Sequence, residues 1–173
     1  MSGLFNLSGK VVYTMSFISL IADNNMATMM SDSQGTDPNM VAVNHGLKKV
    51  HRINGRLVGI VGDYTEASAI VGRLKRGLTY DDIIVDCVVL IAEYVNHTLR
   101  VTRQSANVTL IKFGVVYEAL VPFDCRLNVT DMLKTTTQSI NERQLIQKQV
   151  NDLVADNSYS VDKYTQFEVI RNE

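Results

Sequence analysis

Tryptophan is absent from this sequence, and proline and cysteine occur only twice each among 173 residues. The two thiols, Cys87 and Cys125, stand far apart among apolar or mixed neighbours. That spacing excludes a CxxC redox motif and a thiolate metal site, and it suits reduced, buried cysteines. His45, His51 and His97 lack the spacing of a metal-ligand set, so no metal or other cofactor is expected. An excess of charge of one sign is also missing: 17 Lys and Arg oppose 18 Asp and Glu, for a formal net charge of −1. Such a balance gives no bulk attraction to nucleic acid or to an anionic membrane surface. No apolar run approaches the roughly 20 residues of a membrane-spanning helix. The first ten residues, MSGLFNLSGK, lack the charged and apolar regions of a secretory signal. A cytoplasmic protein is therefore expected, in which the sequons at Asn6, Asn96, Asn107 and Asn128 carry no weight. There is no G-x-S-x-G elbow, phosphate-binding loop or dinucleotide fingerprint.

What is present is ordinary globular chemistry: 46% hydrophobic and 20% charged residues, in a length suited to one domain with a substantial core. KVVYTMSFISLIAD, from Lys10, is rich in β-branched and aromatic residues and predicts a strand. Asp23-Asn24-Asn25 is turn chemistry, and MATMMSDS reads as the return strand. LKKVHRI and RLVGIVG flank Asn54-Gly55, a strong hairpin signal. A helix capped by Thr65 and closed by Gly77 is predicted next. A second is predicted from Tyr80 to about Thr102, with Ile83, Ile84, Cys87, Val88, Ile91 and Val95 as its apolar face, so that the two form a helical hairpin. NVTLIKFGVVYEALVPF predicts a third strand pair, residues 130–157 a helical region, and KYTQFEVI a closing strand. Strands, helices, strands, helix and strand in that order suggest helices layered on antiparallel sheet.

Three short motifs stand in register over residues 16–78. Ser31-Asp32-Ser33-Gln34-Gly35-Thr36 follows the return strand. Leu47-Lys48-Lys49-Val50 opens the second hairpin. Val61-Gly62-Asp63-Tyr64-Thr65-Glu66-Ala67 turns into the first helix. In order and spacing this stretch resembles the first half of proteasome β-subunits and of the related bacterial ATP-dependent proteasome-like peptidases. The resemblance implies an α+β fold, a four-layer α-β-β-α sandwich of two antiparallel sheets. It also implies the chemistry of an N-terminal-nucleophile hydrolase. There a hydroxyl at the mature N-terminus attacks while its own α-amine takes the proton, an amine suited by a pKa near 7.7–8.0. A buried Lys lowers both pKa values, an Asp holds the Lys, and a backbone N–H at a Gly turn stabilises the oxyanion.

Carried onto this chain, the resemblance implies Ser16 as the first candidate nucleophile. Thr14, two residues earlier on the same strand face, is the second. Asp32 would anchor the lysine, Lys49 would be that lysine, and Gly62 would offer the oxyanion N–H. Residues 1–15 would be an N-terminal extension or pro-segment, and 16–173 the proteasome-like domain. A peptidase or amidohydrolase is implied; the alternative is a non-catalytic subunit that keeps the fold for self-assembly. The chain departs from the family in having Ser where Thr is usual, in Asp63 where a second Gly is usual, and in lacking the later Gly-Ser-Gly segment. The resemblance further implies a homo-oligomeric ring, with segment 1–15 and either the helical hairpin or loop 37–46 near interfaces, and makes an ATPase unfoldase a candidate partner.

Overall fold

The computed structural model describes residues 4–7, 10–13, 16–36, 42–134 and 139–173. Two antiparallel sheets form its centre. The four-stranded sheet contains β3 (Ile18–Ala22), β4 (Met26–Asp32), β12 (Val116–Leu120) and β13 (Thr165–Arg171), in the order β12-β3-β4-β13. The five-stranded sheet contains β7 (Val50–Ile53), β8 (Arg56–Gly62), β9 (Cys87–Val95), β10 (Thr98–Gln104) and β11 (Thr109–Phe113), in the order β11-β10-β9-β8-β7. Two small hairpins stand apart, β1 (Leu4–Leu7) with β2 (Lys10–Tyr13), and β5 (Gly35–Thr36) with β6 (Ala42–Asn44). The helices are α1 (Tyr64–Lys75), α2 (Val129–Leu133) and α3 (Ile140–Asp156).

Three apolar seams set the layers. Between the sheets, Ile18, Leu20 and Met29 meet Leu57, Val61, Val88 and Leu90. Under α1, Ile70 and Leu74 pack on Val58, Ile60, Val89 and Ile91; burying each such side chain contributes about 1.5–3 kcal/mol. On the far side Val129, Leu133, Val150 and Val154 of α2 and α3 pack with Phe17, Ile21 and Ala119. The result is the α-β-β-α sandwich of two antiparallel sheets. Gly59 falls on the inner face of β8, where a Cβ would lie 2.9 Å from Ile18 Cδ1 and from Met29 Sδ. The missing side chain lets the sheets approach there.

The expected helix from Tyr80 to Thr102 does not exist, and with it the helical hairpin. A short 3-10 turn (Asp81–Ile83) leads instead into β9 and β10. The cause lies in residues 87–92: Cys87, Val89 and Ile91 face α1, while Val88, Leu90 and Ala92 face the other sheet. A strand buried on both faces is apolar at every position and so mimics a buried helix in sequence. Asn96 (φ 50°) and His97 (φ 64°) make the tight turn to β10, a left-handed pair that matches the twist of a hairpin.

Other expectations shift in detail. β11 and β12 are both strands, but β11 pairs with β10 and β12 with β3, so they lie in different sheets. The strand expected from Lys10 is divided, with β2 paired to β1 and β3 starting only at Ile18. Asp63, not Thr65, caps α1, its carboxylate accepting from the Glu66 amide at 2.8 Å. The Asp23–Asn25 turn uses side-chain acceptance rather than positive φ: Asp23 Oδ1 takes the amides of Asn25 and Met26 at 2.8 and 3.0 Å. Thr14 and residues 37–41 of loop 37–46 lie outside the described residues, and Ala42–Asn44 of that loop form β6.

Candidate active site

Asp32 ends β4 in the four-stranded sheet and is fully buried. Lys49 directly precedes β7 in the five-stranded sheet and is 7% exposed. The gap between the sheets is closed there by an ion pair, Lys49 Nζ donating to Asp32 Oδ1 at 2.9 Å. The same oxygen accepts the Phe17 amide at 3.1 Å, and Phe17 O accepts the Asp32 amide at 3.3 Å. Lysine and the Ser16–Phe17 peptide thus converge on one carboxylate oxygen. The second oxygen takes the amides of Gln34 at 3.2 Å and Asp162 at 3.4 Å. Lys49 Nζ also donates to Gln34 O at 2.6 Å.

Burial acts on both partners. It lowers the Lys49 pKa against the attraction of Asp32, and it raises the Asp32 pKa against Lys49 and the Phe17 and Gln34 amides. Both shifts act against the charged forms, and the ion pair with its amide donors opposes them. Lys49 is fixed along the chain by Gln166 of β13, whose Oε1 accepts the Lys49 amide at 2.9 Å and whose Nε2 donates to Leu47 O at 2.8 Å.

Ser16 is 8% exposed and sits one residue before the amide held by Asp32. Gly62 ends β8, opposite Cys87 of β9. Its φ of +125° and the absence of room, with a Cβ only 2.2 Å from Asp86 O, both require glycine. That crowding is a structural reason for Gly62 independent of any oxyanion, and none of the contacts that demand it involves Asp32 or Lys49. The carboxylate of Asp63 is occupied in capping α1.

Around the ion pair, Ser33 and Gln34 of the motif after β4 bond to segments that carry no motif in sequence. Asp162 accepts the Ser33 amide at 2.9 Å, the Ser33 hydroxyl at 3.0 Å and His45 Nδ1 at 3.0 Å. Ser33 and His45 bond to the carboxylate and not to each other, so this trio is no serine–histidine relay. Burial raises the pKa of Asp162, but the Ser33 amide, His45 and Ser33 hydroxyl bonds outweigh it and the net direction is down. Gln34 Nε2 donates to Tyr159 O at 2.8 Å. Asp124 binds the Ser158 hydroxyl at 2.7 Å and the Tyr159 amide at 3.0 Å. Each of these pairs is more than 100 residues or more than 30 residues apart in sequence, which is why local pattern did not reveal them; Asp162 in the polar stretch SYSVDKY was the one available cue.

A cleft of about 320 Å³ opens beside Lys49, lined by Leu47, Lys48, His51, Ile60 and Tyr64 among others. Burial, with Lys48 and Lys75 nearby, lowers the His51 pKa to about 4, so its imidazole is neutral at pH 7. Among the described residues no group of three or more His, Cys, Asp or Glu is arranged to hold a metal ion, and no helix is long and apolar enough to cross a membrane.

Two solved structures share this architecture. Anbu, an ancestral beta-subunit from Yersinia bercovieri, superposes with a TM-score of 0.71, covering 90% of this chain and 81% of its own at 11% identity. The fold is that of a proteasome-like β-subunit. Eukaryotic HslV from Trypanosoma brucei superposes with a TM-score of 0.64, covering 90% of this chain and 99% of its own, also at 11% identity. No family model and no curated protein matches the chain by sequence. The proteasome-like fold is thus carried by a sequence that keeps about one residue in nine of these two neighbours.

Proposed function

We propose that this chain is a proteasome-like N-terminal-nucleophile hydrolase, a peptidase or amidohydrolase, with Ser16 as nucleophile after loss of residues 1–15. The observation that carries the reading is the single oxygen Asp32 Oδ1, which receives both the Lys49 ammonium and the amide of the residue after Ser16. In the proposed reaction the freed α-amine of Ser16 takes the hydroxyl proton as the hydroxyl oxygen attacks the substrate carbonyl. Lys49, positioned by Asp32, holds the amine and hydroxyl pKa values down by its charge. A backbone N–H at Gly62 faces the developing oxyanion in this scheme, and the cleft beside Lys49 receives a substrate side chain. Thr14 is the alternative nucleophile. The working form is a homo-oligomeric ring in the cytoplasm, with segment 1–15 near an interface before its removal and an ATP-dependent unfoldase feeding it.

One observation favours a second reading, a non-catalytic subunit that uses the fold for assembly. Asp63 places a carboxylate next to Gly62, where a developing negative charge would be repelled.

The decisive experiment exposes Ser16 as the N-terminus by specific proteolysis and follows hydrolysis of fluorogenic peptides. Turnover that disappears in Ser16→Ala is expected. Equal turnover in Ser16→Ala, or none with a Ser16 N-terminus across a broad peptide set, overturns the catalytic reading. Intact mass of chain isolated from its host checks the processing site.

A further inference from the structure

Arg171 ends β13 opposite Met26, six positions along β4 from Asp32, or about 20 Å at the rise of a strand. At this end of the sandwich a cleft of about 570 Å³ lies where the open edges of the two sheets meet. Arg52 of β7, Arg56 of β8 and Arg171 of β13 all line it. None of these three guanidiniums has an ion pair or side-chain hydrogen bond to a described residue. Of the six arginines elsewhere, four are matched to carboxylates: Arg73 to Asp82, Arg100 to Glu93, Arg103 to Glu118 and Arg143 to Asp23. Of the two acidic side chains lining the cleft, Glu93 is already held by Arg100 at 3.3 Å, which leaves Glu173 against three guanidiniums without a carboxylate partner among the described residues.

The walls are fixed in advance. Asn172 donates from its side chain to Asn24 O at 2.6 Å and to His97 O at 2.8 Å, and from its amide to Asn25 O at 2.9 Å. Tyr94 donates its hydroxyl to Asp23 O at 2.7 Å. The end of β13 is thereby tied to the β3–β4 and β9–β10 turns, so binding there would not have to order the backbone.

We infer that this cleft is a binding site for a small organic polyanion, a molecule carrying two or more phosphate or carboxylate groups. Guanidinium forks pair bidentately with planar carboxylates and with phosphate, the strongest common hydrogen-bonded ion pairs. The volume lies in the range of small-molecule sites. With a formal net charge of −1, the chain as a whole does not attract anions, so the local excess at the cleft provides the selectivity. The site is separate from Asp32 and Lys49 and stands or falls independently of the hydrolase reading.

The test titrates the full chain with pyrophosphate and, in a parallel arm, with citrate near 0.15 M ionic strength, following thermal unfolding and heat of binding. At ten times the dissociation constant a specific ligand raises Tm by about 3–6 °C. The shift is expected to vanish in Arg52→Ser/Arg171→Ser and to persist in Arg73→Ser/Arg76→Ser, which removes equal charge elsewhere. A response to pyrophosphate alone assigns phosphate chemistry, and a response to citrate alone assigns carboxylate chemistry. No shift with either probe, or an equal shift in both double variants, overturns the site.

Discussion

At the two ends of β4 the sandwich is crossed by two ion pairs that differ in cation, burial and company. Near Met26, the Arg143 guanidinium of α3 is 1% exposed and donates to Asp23 Oδ2 at 2.5 Å, to Met26 O at 3.1 Å and to Ile21 O at 3.4 Å. Four residues on, Gln147 bonds Ser19 and Thr28 from the same helix face. At the other end, Lys49 donates to Asp32 and to Gln34 O, with the Ser16–Phe17 peptide on the shared oxygen. The planar guanidinium fork reaches several acceptors at once, so the first pair works as a clamp between α3 and the β3–β4 turn. Lys49 is a compact charge whose pKa burial lowers against the attraction of Asp32, so the second pair holds its charge against a desolvation cost. The two ends of one strand are therefore met by different cations, an arginine from α3 at the β3–β4 turn and, from the edge of the other sheet, a lysine beside the candidate nucleophile.

The largest effect that would break this comparison is expected from Arg143→Ala. It removes three acceptors' partner at once and should lower stability by about 3–5 kcal/mol, seen as a drop in Tm of roughly 10 °C or more. Peptide hydrolysis measured well below that Tm should be unchanged; a large loss of turnover in the folded variant would erase the distinction between the two pairs. Lys49→Met comes next. It leaves Asp32 buried with three amides still donating, and should cost about 3 kcal/mol. Adding Asp32→Asn should recover much of that stability by removing the unmatched charge, while hydrolysis stays abolished. Recovery of activity in the double variant would show that the pair has only a packing role.

The smallest effect lies in pH. Burial raises the Asp23 pKa, but the Met26 and Asn25 amides and Arg143 outweigh it, and the net direction is down. Its contribution is therefore present above the ordinary carboxylate pKa of about 3.9 and is lost as pH falls through the lowered folded value. Lys49, lowered by burial, works in the alkaline window below about 10.4. There the folded state binds fewer protons than the unfolded one, so its contribution grows as pH rises. Asp32, raised by burial, opposes Asp23 on the acid side. Urea midpoints across pH should therefore fall less steeply in acid for Asp23→Asn than for the parent chain. An unchanged acid limb would show that Asp23 is not held by Arg143 in solution.

Much of the layered fold was legible because most strands carry local signals. Asn54-Gly55 takes φ values of 51° and 77°, and Gly77 takes +70° at the end of α1. The segment 80–102 was not legible, since alternation vanishes when both faces of a strand are covered. Of the candidate site, Asp32 and Lys49 could be singled out because short motifs flank them, and their contact is a fact of tertiary packing. Asp162 and His45, and the bonds that tie Ser33 and Gln34 to the segment before β13, could not, because what joins them is the approach of the β13 entry to the end of β4. Arg143 was equally hidden: an arginine at helical spacing reads as a solvated residue until the sheet beneath it exposes three oxygens.

Lys49 belongs to the five-stranded sheet and Asp32 to the four-stranded one, so their 2.9 Å contact measures how the two sheets are aligned. At one edge the sheets share continuous backbone, since only Gly114 and Val115 separate β11 from β12. At the other, Gln166 grips the backbone of Leu47 and Lys49. Slippage of one sheet over the other by a single residue, about 3.3 Å, would pull the ammonium out of reach of its carboxylate. The ion pair is in effect a vernier, set correctly only when the whole sandwich has closed in register, so any reactivity that depends on Lys49 is withheld from a partly assembled fold.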